Sequence, residues 1–95
     1  MARSPVVELN RAMAVAMAFG AAAGLELADA LMAEPLLRNY CLLPAARGDL
    51  LVKLGRNEEA RAEFERAASL TRNERERAVF LERARALHSA HAENR

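Results

Sequence analysis

Apolar residues recur at three- and four-residue intervals along most of the chain, the spacing of one face of an α-helix. Leu9, Met13, Val15, Ala16 and Phe19 form the first run. Ser4-Pro5 predicts its start, because the Ser oxygen can accept from an orphan N–H and Pro suits the first helical position. Gly20 predicts its end. A second helix is expected over residues 22–33, with Leu25, Ala28, Leu31 and Met32 as its stripe, broken at Glu34-Pro35. A third is expected over 38–54, with Pro44 in or near its first turn, where a missing N–H costs little. Gly55 is its stop. Asn57 is placed to cap a fourth helix, with Glu58 and Glu59 facing the positive end of the dipole. Ala60, Phe64, Ala67, Ala68 and Leu70 should face inward. Asn73 followed by Glu76 has the form of a capping box. The fifth helix is expected over 74–89, with Ala78, Leu81, Ala84 and Leu87 apolar. Residues 1–3 and 90–95 are expected to be flexible, leaving 4–89 as a single helical domain.

The turns between these segments are short, so neighbouring helices should pack antiparallel. The stop glycines Gly20 and Gly55 lie 35 residues apart, close to the period of a helical repeat. The expected fold is therefore all-α: stacked antiparallel helix hairpins followed by a C-terminal capping helix.

Composition agrees. The 95 residues are 53% apolar and 28% charged, with 4% aromatics and no Trp. A core of Leu, Ala, Met and Val suits closely packed helices better than sheets. Net charge is +1, and residues 56–95 carry nine Arg against eight Glu. That balance reads as a solvated helix surface and gives no sign of direct nucleic-acid binding. Cys41 is the single cysteine, which points to a reducing cytoplasm. The uncharged stretch from Ala12 to Leu25 is too short to span a membrane, rich in Ala and Gly, and follows Glu8, so neither a membrane span nor a leader is expected.

The segment 41–71 resembles a tetratricopeptide repeat through Gly48, Leu51, Leu54, Gly55, Ala60, Phe64 and Ala67. Gly48 and Ala60 are small where two helices approach closely, Gly55 permits the turn between them, and Phe64 and Ala67 form the seat of the next helix. Pro44 stands at the usual aromatic position, and Arg72 replaces the usual proline. Residues 7–34 match more weakly, with Ala12 and Val15 in the places of Gly48 and Leu51. The resemblance implies about two tetratricopeptide-like repeats. It also implies a concave groove lined by Val6, Leu9, Met13, Met17, Leu42, Ala45, Asp49 and Val52. This groove is mainly apolar and lacks the Lys and Asn pattern that clamps a peptide carboxylate. It would suit an apolar helix of a partner, with Met adapting to its shape, unless another part of the same assembly covers it.

A longer set of matches is more specific. Ser4 to Ala12 followed by Val15-Ala16, Tyr40 with Leu42-Leu43, Arg47 to Leu51, Leu54-Gly55-Arg56, and Thr71 to Arg77 occur in order. Together they resemble the C-terminal extension of one group of extracytoplasmic-function (ECF) RNA polymerase sigma factors, over about residues 4–88. That resemblance implies regulation of transcription through protein contacts, with sigma core regions or RNA polymerase as the partner. The DNA-reading and polymerase-binding regions of such factors are absent here. The chain is then expected to be a detached domain, a truncated gene product or a free-standing relative. Its first hairpin would present an apolar face that a second copy could cover as a homodimer. The alternative is a free-standing tetratricopeptide adaptor for an apolar helix or peptide, unrelated to transcription.

Catalytic constellations are lacking, so no enzyme, metal or cofactor is expected. The glycines are isolated and form no phosphate loop. His88 and His91 share the last helical turn, and with Cys41 or Glu93 could hold a metal only without a characteristic ligand spacing. Cys41 is expected to be a small buried apolar residue. Glu58, Glu59, Glu63 and Glu65 alternate with Arg61 and Arg66, which reads as surface pairing. In the run from Arg72 to Arg77, Glu74 and Glu76 would repel phosphate, so capping is expected there. Asn10-Arg11 would make a polar spot at the groove edge or hydrogen-bond between helices.

Overall fold

The computed structural model describes the backbone of residues 4–93 and the side chains of residues 4–87. It is all-helical among these residues: α1 Pro5–Phe19, α2 Ala21–Leu31, α3 Leu42–Lys53, α4 Asn57–Leu70 and α5 Glu74–Glu93, with a 3-10 turn at Pro35–Leu37. The expected termini at 1–3 and 94–95 lie outside the described residues. Helical backbone continues through 90–93, beyond the expected end near Ser89.

Each helix packs on the one before it in sequence, and the α2–α3 junction is thinner than the seams within each pair. The molecule measures 48 × 32 × 19 Å. Its short dimension is that of two helix layers, since packed helices lie about 8–10 Å apart. The core runs through the slab as one cluster, with Leu50, Leu51 and Phe64 fully buried at its centre.

Two glycines make the sharp turns. Gly20 has φ 105°, and its N–H caps α1 on the Ala16 carbonyl at 2.9 Å. Gly55 has φ 76°. Its N–H reaches the Val52 carbonyl at 2.9 Å while the Arg56 N–H reaches that of Leu51 at 2.9 Å. This paired closure satisfies the last carbonyls of α3 and lets α4 turn back. Gly24 and Gly48 serve close approach instead. A methyl on Gly24 would strike the Ala12 carbonyl and Ala16, and one on Gly48 would strike the tip of the Phe64 ring.

Several local expectations are corrected. Ser4 makes no side-chain cap to α1; its carbonyl accepts from the Glu8 N–H at 3.0 Å instead. The third helix begins at Leu42, because Pro35 and the Glu34 carboxylate, which accepts from the Leu36 N–H at 3.2 Å, commit the preceding residues to a 3-10 turn. Asn57 is the first residue of α4 and does not cap it. Arg56 precedes the helix, and its guanidinium grips Glu59 at 2.6 and 2.7 Å. Only half of the capping box at α5 forms. The Asn73 Oδ1 accepts from the Glu76 N–H at 3.0 Å, but the Glu76 carboxylate accepts from the Thr71 hydroxyl at 2.6 Å.

The apolar face of α5 is also different. Phe80 and Ala84 are buried, whereas Ala78 is exposed and Leu81 is 41% exposed. Phe80, Ala84 and Leu87 are spaced to lie on one side of the helix, turned toward α4. Phe19 and Met32 lie at helix ends and are exposed, not inward.

Candidate interaction surface

The eight expected groove residues do not form one continuous trough. Leu9, Met13, Leu42, Ala45 and Asp49 line one hollow of about 220 Å³, together with Asn10, Tyr40 and Ala46. Val52 lines a second hollow of about 200 Å³, with Phe64, Arg83, Ala86 and Leu87. Val6 and Met17 line neither; Met17 is 86% exposed. A five-residue subset of the expected groove is thus brought together, across α1 and α3. Tyr40 stood out in the sequence only beside Leu42-Leu43, and Ala46 not at all, since their place in the hollow depends on how α1 crosses α3.

Asp49 pairs with Arg83 of α5, and the Arg83 guanidinium lies 4.3 Å over the centre of the Phe64 ring. This stacked ion pair ties α3, α4 and α5 and places one acid and one base between apolar walls. Asn10 does border the first hollow, as expected. Arg11 instead turns back to Glu8 at 3.6 Å within α1 and makes no bond between helices.

The expected surface pairing of the α4 acids holds for Arg61–Glu65, at 3.4 Å. It fails for Glu63, whose side chain is only 14% exposed. Glu63 sits 2.6 Å from Arg47 of α3, while Arg47 donates to Asp29 of α2 at 2.9 Å. One guanidinium therefore joins three helices. Burial works against its charge, but the bonds and field of Glu63 and Asp29 outweigh that and hold its pKa above the usual value. Glu59 is held below the usual carboxylate range by its hydrogen bond from Arg56. Arg66 pairs with no acid there; it donates to the Arg38 carbonyl at 3.3 Å.

Arg77 closes the end of α4, donating to the Ala68 carbonyl at 3.2 Å and to that of Thr71 at 2.8 Å. This C-terminal closure of α4 was not legible in the Arg72 to Arg77 run, whose expected capping was at the start of α5. Cys41 is half-buried at the start of α3, with its Sγ 3.9 Å from a Glu76 carboxylate oxygen. It is less buried than its composition suggested. The side chains of His88, His91 and Glu93 lie outside the described residues. Among the described residues no cluster of His, Cys, Asp or Glu is placed to hold a metal. No helix among them is long and apolar enough to cross a membrane.

The outer flank of α1 carries Val6, Val7, Ala14, Met17 and Ala18, all exposed. Arg11 is the one charged residue among them and Asn10 the one other polar residue. The outer side of α5, in contrast, carries Glu82 and Arg85, paired at 3.2 Å. The two ends of the slab therefore differ in charge: the exposed side of α5 mixes Glu82 and Arg85 with Val79, whereas that of α1 carries Arg11 as its one charged residue.

No family model and no solved structure matches the chain. An uncharacterized protein of Rhizobium meliloti (strain 1021) is 46% identical over 80 residues, covering 81% of this chain. The chain spans only 18% of that relative's length, so the relative is more than five times as long as the matched stretch.

Proposed function

We propose that the chain is a non-catalytic protein-interaction domain of tetratricopeptide-like hairpins, related to the C-terminal extension of ECF sigma factors. The observation that carries the interaction reading is the asymmetry of the slab. Repeat stacks need polar outer faces at both ends to stay in solution. α5 has the more charged face and α1 the more apolar one. A terminal helix whose exposed side carries five apolar residues and a single charge, Arg11, belongs against another protein surface.

The repeat reading rests on register. Ala12, Gly48 and Ala84 recur at 36 residues, as do Val15, Leu51 and Leu87 on the odd-numbered helices. Gly24 and Ala60, and Ala28 and Phe64, recur at the same interval on α2 and α4. Ala12, Gly48 and Ala84 are all buried at helix contacts. A shared period of small residues is what repeated hairpins of one shape require. The sigma-factor reading rests on the ordered sequence matches, and the far longer relative is compatible with a domain of this kind set within a larger polypeptide.

The partner in this reading is a sigma core region or RNA polymerase, met through the apolar flank of α1 and the hollow around Leu9 and Leu42. The test is a binding titration of this chain against separately purified sigma core regions. Wild-type chain should bind, and Met17→Glu should weaken binding while leaving the helical circular dichroism intact. No binding at high micromolar concentration, or equal binding by Met17→Glu, would overturn it. The hollow between α1 and α3 favours a second reading, an adaptor for a short apolar helix. In that case Leu42→Glu would abolish binding of the partner and Met17→Glu would not. A homodimer through α1 is the third arrangement, and sedimentation of the free chain across concentration reads it directly.

A further inference from the structure

A different hollow, on the junction between the two halves of the slab, has the character of a ligand site. It holds about 270 Å³ and is lined by Met32 at the end of α2, Leu37 and Arg38 of the connection, Leu43 and Pro44 of α3, and Arg66 of α4. Its floor is apolar: Leu37 and Leu43 are each 3% exposed, and Pro44 is buried. Its rim carries two positive charges. Seven of the chain's arginines sit against a carboxylate. Among the described residues, Arg38, Arg66, Arg72 and Arg75 meet none, and of these Arg38 and Arg66 line this hollow. Glu34, the acid nearest Arg38 along the chain, accepts from the Leu36 N–H, and Glu65, beside Arg66, faces Arg61. Arg66 is held at the rim by its bond to the Arg38 carbonyl, so its remaining N–H groups are pre-positioned.

We propose that this hollow binds a small monocarboxylate with an apolar body, of the size of an eight-carbon fatty acid. The hollow's volume of about 270 Å³ sets that size. The carboxylate would sit between Arg38 and Arg66, whose guanidiniums suit two-point pairing with such a group. Their two full charges exceed the roughly half negative charge at the C-terminal end of α2. The tail would lie on Leu37, Leu43 and Pro44, under Met32, whose flexible side chain can close over it. Because the walls come from both sides of the thin α2–α3 junction, an occupant would also lock the first hairpin onto the rest of the chain. This inference stands apart from the proposed function, since it uses neither the α1 flank nor the hollow around Leu9.

The test uses the full chain and sodium octanoate, with 1-octanol as the uncharged probe of the same length. Calorimetric titration should show one saturable site for octanoate, and thermal melts should rise with its concentration. Arg66→Gln and Arg38→Gln should each weaken octanoate binding by about tenfold or more, the scale of a charge-assisted hydrogen bond, and Arg72→Gln should not. Met32→Trp, at the exposed edge of the hollow, should weaken binding while Arg38 and Arg66 remain. Both arginines are exposed, so circular dichroism should stay unchanged in their variants. The proposal is overturned by the absence of saturable binding at millimolar octanoate. Equal affinity for 1-octanol, or binding that survives Arg38→Gln and Arg66→Gln together, would overturn it as well.

Discussion

Replacing Gly24 with Ala sets two measurable effects against each other. Glycine inside a helix costs about 1 kcal/mol relative to alanine, so on propensity alone the substitution should stabilise α2. Packing opposes it. The new methyl would lie 2.8 Å from the Ala12 carbonyl oxygen and 3.0 Å from the Ala16 Cα, and would run into the Ala16 Cβ. Carbon contacts are best at about 3.5–4.0 Å, so α1 and α2 would have to part by roughly 0.5–1 Å. A gap of that size forfeits a quarter to a half of the dispersion energy along the seam. Overpacking costs about 1–3 kcal/mol, occasionally more. The upper part of that range applies here, because the blocking atoms belong to helix backbone that cannot swing aside. The expected net loss is about 2 kcal/mol. For a chain of this length total stability is about 5–14 kcal/mol, so the loss is a large fraction and should lower Tm by about 8–16 °C. Urea unfolding followed by circular dichroism at the helix band measures it. Ala14→Gly, at an exposed position in α1, gives the propensity cost alone. A Gly24→Ala variant as stable as the original, or more so, would refute the close-approach argument.

Other outcomes follow from the same geometry. Arg47→Ala leaves the largely enclosed Glu63 unpaired and should cost about 2–4 kcal/mol by urea unfolding, while Arg61→Ala, at a surface pair, should cost under about 0.5 kcal/mol. Phe80→Ala should cost about 3 kcal/mol and Leu81→Ala about 1 kcal/mol or less, since only the first is buried; equal losses would mean that α5 is rotated from the orientation described. The Glu59 pKa is depressed in the fold, so its contribution is present above the ordinary carboxylate range and is lost as pH falls through the folded value. Melts of Glu59→Gln and the original chain should therefore differ at neutral pH and converge in acid, by an amount that salt reduces.

The amino-acid sequence alone was enough to place five helices. Helix periodicity, the two stop glycines and Pro5 act within a few residues of themselves, and local effects can be read locally. The burial of Ala60, Phe64 and Ala67 was legible for the same reason, because α4 is strongly amphipathic and only one of its faces could turn inward. The face that α5 buries was decided by tertiary packing. Phe80 and Leu81 are adjacent and both apolar, and the position of α4 alone determines which of them is covered. The same holds for the pairs that fasten the helices together. Arg47 lies 18 residues from Asp29 and 16 from Glu63, and Asp49 lies 34 from Arg83. No short-range pattern links such positions. They meet only because stacked helices bring distant turns to one level, and that depends on crossing geometry that no single helix carries.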